Sequence, residues 1–131
     1  AHCADRSSTY HLYVKDSQIS NAGYGLYAQK MFYRGDYVTL YDGDILSRKE
    51  AWNRKILTHM CTRDGVYIDG IKTPIFGRGG GSFSNSAVLK KEANADIVGN
   101  LGNIILRCSK TIYPDDEIFV FYSQPYLREV K

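Results

Sequence analysis

Long apolar runs are missing from this chain. The most apolar stretch near the end is IFVFY, far shorter than the roughly 20 residues that cross a bilayer, so no transmembrane segment and no membrane partner is expected. Cysteine is scarce: Cys3, Cys61 and Cys108 stand far apart with no Cys-x-x-Cys spacing, and their odd number argues against a closed disulfide framework and for a reducing compartment. His59 precedes Cys61 by two positions, but two ligands do not make a structural zinc site, which takes four, so no metal is expected. The opening AHCADRSS has neither a basic n-region nor an apolar h-region, which excludes a secretory signal there, and the missing initiator Met suggests a processed chain or an excised piece. An intracellular location is the expectation. A large excess of one charge is also absent. The formal charge is +3, with Lys and Arg mixed among acids along the chain, so nucleic acid is not expected as the main partner.

No internal repeat and no low-complexity block is apparent apart from GRGGGS at Gly77 to Ser82. A phosphate-binding loop would need Gly-Lys-Ser/Thr opening a helix, and here Gly81 leads into SFSNS without a lysine. An RNA-binding Arg-Gly-Gly segment would normally repeat, and this is a single copy.

At 131 residues the chain has the length of one domain, able to bury roughly two-thirds of its unfolded surface. Tyr10 to Val14, Tyr37 to Tyr41, Val66 to Asp69, Asn103 to Cys108 and Glu117 to Tyr122 read as strands, several ended by turn residues such as Asp42-Gly43. One helix is predicted, Ser47 to Thr58. Ser47 can cap it, Glu50 completes a capping box, and Ala51, Trp52, Ile56 and Leu57 make a partial apolar face. Many short strands, one helix and no βαβ rhythm give a fold that is mainly β with non-local pairings.

Four stretches then occur in a telling order: SQISNAGYGLYAQKMFYRGDYVTLYDGDIL, VYIDG, GRGGGSFSNS with EANAD, and TIYPDDEIFVFYS. Together, over about residues 10 to 126 of a single domain, they resemble the SET-domain protein lysine methyltransferases. The first holds the Gly-x-Gly turn, then Arg34-Gly35-Asp36 and Tyr41-Asp42-Gly43; the last is similar to the family's acidic pair followed by a closing tyrosine, here Tyr122. The middle departs from the pattern. Ser82-Phe83-Ser84-Asn85-Ser86 keeps Phe and Asn but has Ser86 where relatives carry His, Ala93-Asn94 stands where they have Pro-Asn, and Val120 replaces a second aromatic residue. The ending SQPYLREVK has no counterpart of the cysteine-rich zinc segment found in many relatives.

The resemblance implies a fold of small, mostly antiparallel sheets around a knot-like C-terminal segment, with S-adenosyl-L-methionine as cofactor. It implies a basic protein tail such as a histone's as substrate, and with a histone, a nuclear location. Gly23, Tyr24 and Gly25 would hold the cofactor through a backbone that can take positive φ and approach a ligand closely. Asn85 offers a donor and an acceptor to it, and Ser86 would supply a backbone contact. Methyl transfer needs an uncharged lysine amine, and a free lysine is neutral at pH 7 only on the order of one part in a thousand. A desolvated aromatic channel lowers that pKa, and Tyr41 is expected to line it, with Tyr122 positioning the amine. The acids Asp42, Asp44, Asp115, Asp116 and Glu117 read as a solvated surface that could favour a basic peptide, and Asp69 and Asn94 as loop ties. The substitutions at Ser86 and Ala93 also fit an alternative, a SET-like interaction module with little turnover. An RNA-binding β-domain using Gly77 to Ser82 is a third.

Overall fold

The computed structural model describes residues 11–53, 60–63, 66–72, 79–87, 89–100 and 103–121, without the side chains of 51, 60–66 and 100. Strands β1 (Leu12–Asp16) and β2 (Tyr24–Ala28) form an antiparallel hairpin in register from Leu12 with Ala28 to Asp16 with Tyr24. Its loop is closed by the Ser17 N–H donating to the Gly23 carbonyl at 2.8 Å, with Asn21 and Gly23 at φ 64° and 78°. Asparagine and glycine are the residues that take this left-handed region most readily, so the residue types fit the bend.

Next come β3 (Tyr37–Leu40), β4 (Gly43–Leu46), helix α1 (Arg48–Asn53), β5 (Met60–Arg63) and β6 (Val66–Gly70). A 3₁₀ turn at Gly81–Phe83 leads into the two-residue strand β7 (Asn85–Ser86), and a second at Lys90–Glu92 precedes β8 (Ala95–Asn100), β9 (Asn103–Cys108) and β10 (Glu117–Val120). The strands make three small sheets, ordered β1-β2-β10-β7, β3-β9-β8 and β4-β6-β5. The expected mainly-β architecture with one short helix is what forms among the described residues. The pairing is antiparallel except between β7 and β10, which run parallel.

Several local expectations shift. The first strand starts at Leu12 rather than Tyr10, which lies outside the described residues. The helix keeps the Ser47–Glu50 capping box, with Ser47 Oγ accepting from the Glu50 N–H at 3.1 Å and Glu50 Oε1 from the Ser47 N–H at 2.9 Å. It is described only to Asn53, and Trp52 is 40% exposed, beside Arg48, instead of facing a core. Strands β2, β4, β5, β7 and β8 lie outside the five expected strands; among them, neither MCTR nor ADIVGN is strongly alternating or rich in aromatics.

The internal repeat that organises the fold was not expected either. Leu26-Tyr27-Ala28-Gln29-Lys30-Met31-Phe32-Tyr33-Arg34-Gly35-Asp36 is matched in spacing by Leu106-Arg107-Cys108-Ser109-Lys110-Thr111-Ile112-Tyr113-Pro114-Asp115-Asp116. Each copy ends a strand and makes the same turn. Asp36 Oδ2 accepts from the Tyr33 N–H at 2.8 Å, and Asp116 Oδ2 from the Tyr113 N–H at 3.0 Å. Each turn then docks on the other copy's strand end. Gly35 N–H donates to the Cys108 carbonyl at 2.8 Å and Asp115 N–H to the Ala28 carbonyl at 2.7 Å, while Phe32 and Ile112 exchange both backbone bonds at 2.9 Å. The left-handed position falls at Gly35 in one copy and at Asp115 in the other, where Tyr13 Oη donates to the carboxylate at 2.8 Å. Identical residues are few, so composition and periodicity do not reveal the repeat; the shared hydrogen-bond pattern does.

The core collects the inward residues of all three sheets. β9 shows the alternation best, with Ile104, Leu106 and Cys108 buried and Asn103 and Arg107 exposed. The glycine run is a packing device. A Cβ on Gly81 would lie 2.9 Å from the Tyr41 Cα, and one on Gly79 would lie 2.8 Å from the Leu40 Cβ while also running into the Leu40 carbonyl. Gly79→Ala should therefore lower stability by roughly 1–3 kcal/mol, the usual penalty for overpacking, measured by urea unfolding. A midpoint equal to that of the wild type would show that the run is not needed for close approach.

Candidate functional site

A charged side chain on β10 is almost fully buried. Glu117 is 3% exposed, and its carboxylate accepts from Ser17 Oγ at 2.6 Å, the Gln18 N–H at 2.8 Å and Asn85 Nδ2 at 3.4 Å. The Tyr27 hydroxyl donates to the Asp16 carbonyl at 2.7 Å, with Glu117 Oε1 3.3 Å away sharing the same proton. An ionised carboxylate is tolerated away from water only when its lone pairs are filled in this way. The reading of Glu117 as part of a solvated acidic surface is thus corrected. The turn at Asp116 aims the strand inward, and the neighbouring Asp115 and Asp116 stay exposed.

This carboxylate explains the second glycine of the Gly-x-Gly turn. Gly23 has positive φ, as expected, and a Cβ there would meet nothing within 4 Å. Gly25 does not share that conformation. A Cβ on it would collide with the Glu117 carboxylate and lie 3.1 Å from the Ser17 Cα, so Gly25 is a matter of space on the protein side. Tyr24, between them, is 48% exposed.

Asn85 comes to the same place from the other side of β10. β10 pairs antiparallel with β2 at Glu117 and Ile118, then parallel with β7, Phe119 with Asn85 and Val120 with Ser86. Asn85 Nδ2 donates to the Tyr24 carbonyl at 2.9 Å. Its Oδ1 has no partner among the described residues. Gly23, Tyr24, Gly25 and Asn85 are therefore gathered in one spot, with Ser86 next in strand; its hydroxyl donates to the Ala87 carbonyl at 3.2 Å.

Tyr41 is not in that surface group. It lies 1% exposed in the core just beyond β3, its N–H donating to the Ile104 carbonyl at 2.7 Å. The Gly81–Phe83 turn links the two regions, with Gly81 packed on the Tyr41 backbone and the Phe83 ring edge-on to Tyr24 at 6.0 Å. Tyr122 lies outside the described residues. Cys61 is on β5, but its side chain and His59 are not described, and no cluster of three metal-binding side chains occurs among the described residues.

Asn94 ties loops together, though by a strand-like clamp rather than a local turn. Its Nδ2 donates to the Glu117 carbonyl at 3.0 Å, and its Oδ1 accepts from the Phe119 N–H at 2.8 Å. A side-chain amide thus substitutes for a paired strand along β10. Asp69 takes Lys72 Nζ at 2.7 Å. The residue missed in this site is Glu117. It is the last of three consecutive acids, directly before the apolar run IFVF, and residue type alone does not set it apart from Asp115 and Asp116.

A model of the SET domain family matches residues 23–123. Solved structures similar to this one include the methyltransferase domain of human PR domain-containing protein 2, at 20% identity and TM-score 0.67, covering 90% of this chain and 80% of that one. The Chaetomium thermophilum polycomb repressive complex 2 is similar at 22% identity and TM-score 0.68, covering 88% of this chain and 15% of the larger one. The same complex in an autoinhibited conformation bound to S-adenosylmethionine gives 21% identity and TM-score 0.67, covering 92% of this chain and 16% of that one. This chain thus spans only a small part of the polycomb chains it matches. No curated protein matches it by sequence.

Burial first, and then Glu117, push the Tyr27 hydroxyl up to about 12 from its usual 10. A group whose folded pKa is raised contributes stability that is complete below the unfolded value. Stability should therefore fall as pH rises from about 10 to about 12. Glu117→Gln removes the charge and should bring the Tyr27 titration down towards 10, read by ultraviolet absorbance of the folded protein. An unmoved titration would mean that burial alone holds it.

Proposed function

The chain belongs to the SET-domain family, and from that premise we propose that it is a protein lysine N-methyltransferase using S-adenosyl-L-methionine. The target is a lysine in a basic protein tail, a histone tail being the leading case, which would put the chain in the nucleus. The observation that carries this reading is the meeting of the Gly23–Gly25 turn with Asn85 over the buried Glu117 carboxylate.

The residues present fit the cofactor. The Gly23 backbone faces open space, the Tyr24 ring is half exposed, and Asn85 Oδ1 is an acceptor with no protein partner among the described residues. Such a set can hold a zwitterionic nucleoside, the amide oxygen taking an ammonium or amino proton and the open backbone admitting close contact. Ser86 adds a position on β7, where a main-chain contact does not depend on a histidine ring. When bound, the cofactor supplies an activated methyl group on a sulfonium.

The rest of the chemistry falls to the chain. A lysine must arrive uncharged with its lone pair aimed, and tyrosine walls exclude water, lower the amine's pKa and attract the cation on entry. Tyr122 is assigned the orientation of the amine, and Tyr41 a channel wall reached from the core side.

Single-turnover transfer of labelled methyl from S-adenosyl-L-methionine to mixed histones, with calorimetry of cofactor binding, tests the assignment. Cofactor binding without transfer would favour the interaction-module alternative. Asn85→Ala should weaken cofactor binding by roughly 1–3 kcal/mol in a folded protein. Tyr122→Phe should slow transfer by roughly ten- to a thousandfold with cofactor affinity retained, as when a transition-state contact is deleted. Wild-type turnover in that variant would remove Tyr122 from the mechanism. Because Tyr41 is fully buried, Tyr41→Phe is the informative change there, and it should reduce turnover more than cofactor affinity.

A further inference from the structure

A second concavity lies apart from the Gly23–Asn85 site. It is a cavity of about 540 Å³ at the side of the β3-β9-β8 sheet, and none of Gly23, Tyr24, Gly25, Asn85 and Ser86 lines it. Its cationic lining is Lys90, Arg107 and Lys110, against a single acid, Asp96. Ala93, Ala95, Ile97, Val98 and Phe121 with Ser109 make up the remainder.

The charges are not used internally. Arg107 and Asp96 are direct cross-strand partners on the exposed face, yet no ion pair joins them. Among the described residues, the side chains of Lys90, Arg107 and Asp96 make no hydrogen bond or salt bridge. Lys110 is different: its ammonium donates to the Lys91 carbonyl in the Lys90–Glu92 turn. The result is an apolar floor under two unpaired cations.

We propose that this cavity docks an acidic segment of a partner protein, with carboxylates on Lys90 and Arg107 and an apolar side chain on the floor near Val98 and Phe121. Charge complementarity selects the occupant. A carboxylate meets the guanidinium with matching geometry, and the apolar lining rewards a side chain that a bare polyanion lacks. A nucleic-acid strand fits less well. Asp96, opposite Arg107 in the strand register, repels a continuous phosphate chain, and one aromatic side chain, Phe121, makes no stacking platform. A peptide can instead offer Asp96 a backbone N–H.

The test uses the full chain without cofactor, so that its outcome is separate from methyl transfer. A fluorescent, end-blocked peptide of alternating Glu and Leu should bind with an affinity that falls as salt is raised. A Gly-Ser peptide of equal length should not. Lys90→Glu combined with Arg107→Glu should weaken binding about tenfold or more with the fold unchanged by circular dichroism. Should that double variant misfold, amide shifts of the wild type on titration decide: changes centred on residues 90, 96–98, 107 and 110 support the proposal. Shifts centred on residues 23–25 and 85, equal binding of the Gly-Ser peptide, full affinity in the folded double variant, or tighter binding of a single-stranded oligonucleotide would each overturn it.

Discussion

Two turns hold each other. The Tyr33–Asp36 turn docks on the end of β9 and the Tyr113–Asp116 turn on the end of β2, with Phe32 and Ile112 bonded between them. Each backbone group left over by one strand end is satisfied by the other turn, so neither junction could be buried alone without orphaned donors and acceptors. The pairing joins segments from opposite halves of the chain, and therefore fixes where β3 and β10 depart. Everything at the candidate site depends on that departure, because β10 must enter beside β2 for Glu117 to reach the Gly23–Gly25 turn.

Once delivered, β10 is gripped along its length. β2 pairs with its start, β7 with its end, and the Asn94 amide takes the place of a neighbouring strand in between. The buried Glu117 carboxylate then makes the arrangement specific. A carboxylate removed from water tolerates few geometries, and here four separate donors from β2, its preceding loop and β7 must all be in place. Removal of one donor would leave charge undersolvated, so the site and the fold around it are energetically linked. The same logic explains why the glycines matter in different ways. Gly23 supplies a left-handed turn, Gly25 makes room for a carboxylate, and Gly79 and Gly81 let a loop lie against β3.

The sequence by itself determined the class and the main parts: a mainly-β chain, the capping box of α1, the strand Asn103–Cys108, and the motif order that marks the SET-domain family. These are legible because they rest on local chemistry, such as alternation, capping and turn residues. It did not show that Asn100 and Asn103 end a hairpin, that ADIVGN is a strand, or that Gly35 and Asp115 occupy equivalent places, since those facts come from pairing partners and not from residue type. Nor could it separate Glu117 from Asp115 and Asp116, three acids in a row that look alike until a turn sends one of them inward. Only the tertiary structure decided that difference. Burial of a charge is set by which donors converge on it, and the donors here come from Ser17, Gln18, Tyr27 and Asn85, all remote from it in the chain.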